Sequence, residues 1–373
     1  MKRKAREDNI LKKYVRKIKN WSRRSWINRV LCWIILVVFL VVTFMYGMAQ
    51  WYIYTNRNTP IAMGATFIPK YARYLDLDPK ETLGAMLDDL KFRNVRLVTY
   101  WSEGEKVEGQ YDFSEFDWQL DMAEKRGVKV SLAIGLRQPR WPECHMPTWA
   151  ENTPKSEWEP KLKEYIKAVV ERYRDHPALA SYQLENEFFL KAFGICPDHS
   201  RERLVDEYKL VKSLDTEHPI VVSMSNNAIG TPIYEPTPDI WAISIYKRVW
   251  DKTLTKRYFE YPIPAWYYGF RAGWTEATRG RDVFIHELQA EAWTPRDLGI
   301  KETPLSEQDK SMNADRLHHR FEYGRATGMK KIALWGAEWW YWRKVKRADP
   351  SLWDAAREEI AKTETHNQKL LER

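Results

Sequence analysis

The segment Leu179-Ala180-Ser181-Tyr182-Gln183-Leu184-Glu185-Asn186-Glu187-Phe188 opens as a short apolar run without Gly or Pro and closes on three polar residues, two of them acids. A run of that length and composition reads as a buried strand that ends where the acids begin. The same unit recurs along the chain. Seven further runs are predicted as strands: Ile61–Phe67, Asn94–Tyr100, Val128–Ile134, Ile220–Ser225, Ile240–Tyr246, Val283–Leu288 and Lys331–Trp335. Between them, helix-period stretches are predicted at Lys80–Phe92, Glu115–Lys125, Glu159–Arg174, Arg201–Leu214, Ile263–Thr278 and Gln308–Ala326.

Strands alternating with helices indicate a parallel sheet, and eight units over this length predict an α/β chain folded as a (β/α)8 TIM barrel. The connection from Asn226 to Asp239 contains Gly230, Pro232, Pro236 and Pro238, so the fifth helix is expected to be missing or reduced to a turn. A doubly wound sheet is the competing fold. It would normally carry a glycine-rich phosphate loop, and neither GxGxxG nor GxxxxGK[ST] occurs in the sequence.

Upstream of the first strand, no charged residue falls between Arg29 and Arg57, and Val30 to Tyr46 is almost wholly apolar. About 20 such residues cross a bilayer. Trp33 at one end and Trp51, Tyr52 and Tyr54 at the other lie where interfacial aromatics are expected. The chain of 373 residues has a formal charge of +9, yet residues 1–29 alone hold twelve Lys or Arg against Glu7 and Asp8. The remainder is close to neutral, which argues against a nucleic-acid partner.

The expected organisation is a basic cytoplasmic tail (1–29), a transmembrane signal anchor (30–54) and an extracytoplasmic barrel domain (55–373). The basic region and apolar run are both longer than a cleavable leader needs. Within the tail, Tyr14, Ile18, Trp21 and Trp26 are spaced among basic residues, which suits either an amphipathic helix on an anionic leaflet or a solvated orientation signal.

Functional residues of a barrel gather at the C-terminal ends of its strands. Glu187 and Glu287 fall at the ends of the predicted fourth and seventh strands, which would aim both carboxyls into one mouth. Two carboxyls in one cleft suit glycoside hydrolysis, in which one protonates the leaving oxygen and the other attacks or activates water. Any single acid at a strand end is otherwise an ordinary solvated loop residue.

The outer domain resembles the clan A (β/α)8 retaining glycoside hydrolases, which include family-5 cellulases and mannanases and family-42 β-galactosidases. Asn186-Glu187 matches the clan's Asn-Glu pair after strand four, and Glu287 its nucleophile at the end of strand seven. Arg96, Tyr246 and Trp335 resemble its strand-two arginine, strand-six tyrosine and strand-eight tryptophan under the bound sugar. The segment from Trp101 to Asp117 is similar to the loop after strand two in family-42 enzymes. The added C-terminal domains of family 42 are not expected here, so galactosidase specificity is not expected to carry over.

The resemblance implies double displacement, with Glu187 as acid/base, Glu287 as nucleophile, Arg96 and Tyr246 holding Glu287, Asn186 on the sugar 2-OH, and carboxyls about 5–5.5 Å apart. Trp335 and Trp141 are the preferred sugar-binding aromatics among a set that includes Trp101, Trp149, Trp293, Trp339, Trp340 and Trp342; about half of that set is expected to be core. The expected partners are an oligo- or polysaccharide substrate and a lipid bilayer, with no cofactor. A non-catalytic glycan-binding barrel and a transglycosylase are the alternatives.

Several neighbouring residues need placing. Glu185 shares Glu187's face if the strand persists, which makes it a competitor for the acid role. Glu291 is either a sugar ligand or a loop carboxylate. By alternation His286 is expected to face the barrel wall, and His318 and His319 are expected to be solvated on a helix. No metal-ligand spacing such as HExxH occurs, so no metal is expected. Cys144 and Cys196 fall on neighbouring mouth loops, where a disulfide is permitted outside the membrane but not determined by the sequence.

Overall fold

The strands form in chain order as β1 (Ala62–Thr66), β2 (Asn94–Val98), β3 (Lys129–Ile134), β4 (Leu179–Leu184), β5 (Ile220–Met224), β6 (Ile240–Ile245), β7 (Arg248–Trp250), β8 (Tyr258–Glu260), β9 (Asp282–Gln289) and β10 (Lys331–Trp335). Eight of them are parallel neighbours in a closed barrel ordered β1-β10-β9-β6-β5-β4-β3-β2, while β7 and β8 pair separately as an antiparallel hairpin. The fold is therefore a TIM barrel whose seventh and eighth strands are β9 and β10. In this computed structural model the described residues are 25–226, 230–295 and 299–372, together with Lys13, Arg16, Lys17 and residues 19–21. The tail positions Tyr14 and Ile18 lie outside them.

Local chemistry explains where the helices begin. Asp78 accepts the amide of Glu81 at 2.8 Å with Pro79 in the first turn, and Asn313 accepts the amide of Arg316 at 3.0 Å. That second cap divides the single helix predicted over Gln308–Ala326 into Leu305–Gln308 and Ala314–Arg325, because the extended backbone of Asn313 interrupts it. Between β5 and β6 the described residues contain no helix, as the prolines there require. Two helices not foreseen in the sequence, Ala337–Lys346 and Ser351–Leu371, follow β10.

The helix Trp26–Asn56 is long and apolar enough to cross a bilayer. Its last turns do not end free of the barrel. Ala49 and Tyr52 are buried, Phe44 and Tyr46 meet Trp274 and Trp266 edge-on, and Gly273 gives the room that Tyr52 occupies. The boundary expected at residue 54 is thus a packed junction against the helix Ala265–Arg279.

Candidate active site

Inside the barrel, just below the mouth, lies a polar layer where a TIM barrel usually packs aliphatic side chains. Its centre is Arg96 on β2, buried and bonded on every side. Nε donates to Thr66 Oγ1 at 2.9 Å, Nη1 to Gln183 Oε1 at 2.9 Å, and Nη2 to Glu287 Oε1 at 2.6 Å. Nη1 also lies 2.5 Å from His286 Nδ1. The Tyr246 hydroxyl donates to the other Glu287 oxygen at 2.7 Å. A carboxylate held by a guanidinium and a phenol is both charge-compensated and fixed in direction.

His286 corrects the sequence expectation. Simple alternation would turn it away from Glu287, but β9 carries an extra residue there. Ile285 aligns with Ile243 on β6 and Ile332 on β10, whereas the next pairs are Glu287 with Ser244 and Leu288 with Leu334. This bulge brings His286 and Glu287 to the same guanidinium. Burial and the Arg96 charge keep the imidazole well below its usual pKa, so it is neutral. With Nδ1 accepting from Arg96, the proton sits on Nε2 and points to Ser244 Oγ at 3.0 Å.

Ser244 lies near the Glu187 carboxyl and tempers the rise in its pKa. From Glu287 the bonded chain runs through Arg96 and His286 to Ser244. Burial pushes the Glu187 carboxyl up to about 8, and the nearby Glu287 charge adds to the rise. The strand expected to carry Glu185 and Glu187 on one face ends at Leu184, and both glutamates take left-handed backbone angles, φ 55° and 43°. Glu185 therefore turns away from the mouth. It accepts the amides of Leu136 and Arg137 at 2.7 and 3.0 Å and pairs with buried Arg203 at 2.9 Å. A side chain at Gly135 would overlap Glu185 Oε1, so that close approach requires glycine. The Glu185 carboxyl is fully engaged by backbone amides and Arg203.

Asn186 is buried beside Glu187, its Oδ1 accepting from Gln183 at 3.1 Å and its Nδ2 donating to Glu143 at 3.1 Å. Glu143 was not singled out from the sequence. It is a further buried carboxyl, raised to about 7 by burial against the opposing pull of Arg137, 3.7 Å away. Its only sequence cue is its position next to Cys144, which forms a disulfide with Cys196 and ties the loops after β3 and β4 together.

Trp335 at the end of β10 is buried, with the Arg140 guanidinium 4.6 Å from its ring centre. Arg140 also lies over Tyr71 and grips Glu291 through two bonds of 3.3 and 3.0 Å. Glu291 is thus an ion-pair partner at the mouth. Trp293 packs edge-on against Tyr246, and Trp141 is 59% exposed on the rim beside Phe193. Trp101, Trp339, Trp340 and Trp342 are fully buried; the indole N–H groups of Trp101, Trp339 and Trp340 bond to Glu105, Gln308 and the Ala290 carbonyl. They are core, and Trp149 donates to the Glu105 carbonyl beside them. Of the residues expected at the site, Arg96, Asn186, Glu187, Tyr246, Glu287 and Trp335 converge, while Trp141 sits at the rim.

Among the described residues two groups have the close spacing of metal ligands, Asp121/Glu124/His176 and His318/Glu358/Glu359. Both lie on helices or their ends, outside the mouth. Glu359 is already paired with Arg325, Lys362 and His318, so His318 is engaged in an ion-pair cluster as well as part-exposed.

No protein-family model matches the chain. It is similar to a β-galactosidase of an Arthrobacter species, 31% identical over 138 residues that cover 30% of this chain and 20% of that protein. It is also similar to mannan endo-1,4-β-mannosidase F of Aspergillus fumigatus, 28% identical over 131 residues that cover 34% of this chain and 29% of that protein. The chain therefore spans less than a third of the length of either relative. Among solved structures it resembles the β-galactosidase of the Antarctic haloarchaeon Halorubrum lacusprofundi, with a TM-score of 0.52 and 13% identity over 82% of this chain and 58% of that one. At that identity the likeness speaks for the barrel alone.

Proposed function

We propose that the chain is a glycoside hydrolase that cleaves β-glycosidic bonds with retention, with Glu187 as acid/base and Glu287 as nucleophile. The observation that carries this reading is the opposed treatment of the two carboxyls. Glu187 is held protonated near neutral pH by burial, whereas Glu287 receives charge-assisted donors on both oxygens. In the first step Glu187 gives its proton to the leaving oxygen as Glu287 bonds to the anomeric carbon. In the second, Glu187 takes a proton from water, which displaces Glu287. Asn186 stands beside the acid to hydrogen-bond the sugar 2-OH. A barrel that only bound glycans would have no use for two buried carboxyls held in such different ways. The relatives, a β-galactosidase and a β-mannanase, support a β-linked substrate.

We further read the chain as anchored in a bilayer through the helix Trp26–Asn56, with its basic tail cytoplasmic and the barrel outside, acting on saccharide at or near the cell surface. The buried packing of Ala49 and Tyr52 on the barrel supports a retained helix over a cleaved leader. The Cys144–Cys196 disulfide supports an oxidising compartment for the barrel. The test is a screen of aryl β-glycosides with the wild type, Glu187→Ala and Glu287→Ala. Hydrolysis by the wild type and its loss in both variants is expected; undiminished activity in either variant would refute the assignment.

A further inference from the structure

The hairpin β7–β8 was not foreseen from the sequence, and the mechanism makes no use of it. It borders a cleft of about 600 Å³ whose lining includes Arg248, Trp250, Lys256, Arg257, Tyr258 and Lys310. Four of these six are cationic, and Glu307 is the one acid among the described residues that line the wall. The cations have different degrees of restraint. Arg248 is held by the Lys310 carbonyl at 2.7 Å and by Glu260 at 3.3 Å, and Lys310 pairs with Glu307 at 2.5 Å. Lys256 and Arg257 are exposed at the hairpin tip. That tip is an ordered turn, because the Asp251 carboxylate accepts the amides of Thr253, Leu254 and Thr255 at 3.0, 3.2 and 2.7 Å.

The cleft is joined to the mouth by short, bonded connections. Gln289, two residues beyond Glu287, accepts the amides of Lys247 and Arg248 at 2.8 and 2.9 Å and donates to the Arg248 carbonyl at 2.6 Å. Trp293, packed on Tyr246, leads two residues later to Pro295 on the cleft wall. Trp250 and Tyr258 meet edge to face at 5.1 Å, an aromatic corner suited to the C–H face of a pyranose. A saccharide reaching from the two carboxyls across this rim would place its next units among the cations.

The geometry points to a subsite for an anionic saccharide, one whose units beside the cleaved bond carry carboxylate or sulfate groups. This rests on the hydrolase reading and narrows it to acidic glycans. Charge and aromatic surface together select an acidic sugar over a neutral one, since neutral hydroxyls gain little from exposed ammonium and guanidinium groups.

The test uses the full chain in detergent, as Glu187→Gln so that ligand is not consumed. Calorimetric titration compares glucuronic-acid-substituted xylotriose, a sulfated galacto-tetrasaccharide and neutral xylotetraose. The acidic ligands are expected to bind at least about tenfold more tightly than xylotetraose, with the advantage shrinking as salt rises from about 50 to about 300 mM. A Lys256→Gln/Arg257→Gln pair in the same background should remove that advantage while leaving the melting temperature unchanged. Tighter binding of the carboxylated ligand alone or the sulfated ligand alone would name the anion. Equal binding of acidic and neutral ligands, no binding of either, or an advantage that survives the double substitution would overturn the subsite. Wild-type turnover of an uncharged aryl β-glycoside is measured separately, so failure of the subsite and failure of the hydrolase reading give different results.

Discussion

Arg96 Nη2 lies 2.6 Å from Glu287 Oε1, and the same guanidinium reaches His286 through Nη1. One buried cation therefore orients Glu287 and sets the tautomer of the histidine that bonds to Ser244.

Removing one of the donors to Glu287 should lower turnover without abolishing the fold. Tyr246→Phe loses the 2.7 Å bond to Glu287 but keeps the ring against Trp293. A charge-assisted bond of this kind is worth about 1.5–3 kcal/mol, so kcat/KM should fall about 10- to 100-fold. Steady-state kinetics on an aryl β-glycoside checks it, and an unchanged kcat/KM would detach Tyr246 from Glu287's function.

The acid must be protonated to work, so activity is lost as pH rises through its pKa. With Glu187 raised to about 8, kcat/KM should bend downward near pH 8 and fall tenfold per unit beyond it. Glu187→Gln, assayed on a dinitrophenyl glycoside that needs no protonation to leave, should lack this alkaline limb. A limb that persists unchanged would belong to another group.

Glu338 offers a stability measurement independent of turnover. It is buried, accepts the Ile68 amide at 2.8 Å, and burial raises its carboxyl from 4.5 to about 7. The folded state holds this proton more tightly than the unfolded state, so its contribution is complete below pH 4.5 and is lost as pH rises to about 7. The loss is roughly 3 kcal/mol by linkage. Glu338→Gln retains an acceptor without the titration, so its melting temperature should gain on that of the wild type between pH 5 and 7. Parallel curves would show that Glu338 does not titrate there.

The disulfide closes 52 residues of chain between the loops that carry Arg140, Glu143 and Asn186. Replacing both cysteines by serine should cost about 2–4 kcal/mol in chemical denaturation. It should also lower kcat/KM, since the loops it ties frame the mouth and the one after β4 carries Glu187.

The barrel was legible in the sequence because each strand is a short apolar run, and the runs at β4 and β10 match to the residue. The carboxyl pair was legible for the same reason, as acids at strand ends. What the sequence could not display was any departure from alternation. The extra residue on β9 reverses His286, and the left-handed backbone after Leu184 separates Glu185 from Glu187. Arg140 and Glu143 stayed hidden because they sit on a loop at positive φ, 81° and 75°, in a path set by its neighbours more than by local propensity. The hairpin was missed because its strands are three residues each, too short for a periodic signal.

Retention through Glu187 and Glu287 is tested most directly by the anomeric configuration of azide products, read by proton NMR. With azide and an activated aryl β-glycoside, Glu187→Ala should yield the β-glycosyl azide, because azide intercepts the α-linked glycosyl enzyme on Glu287. Under the same conditions Glu287→Ala should yield the α-glycosyl azide by a single displacement. An α product from Glu187→Ala, or a β product from Glu287→Ala, would contradict the assignment of acid and nucleophile.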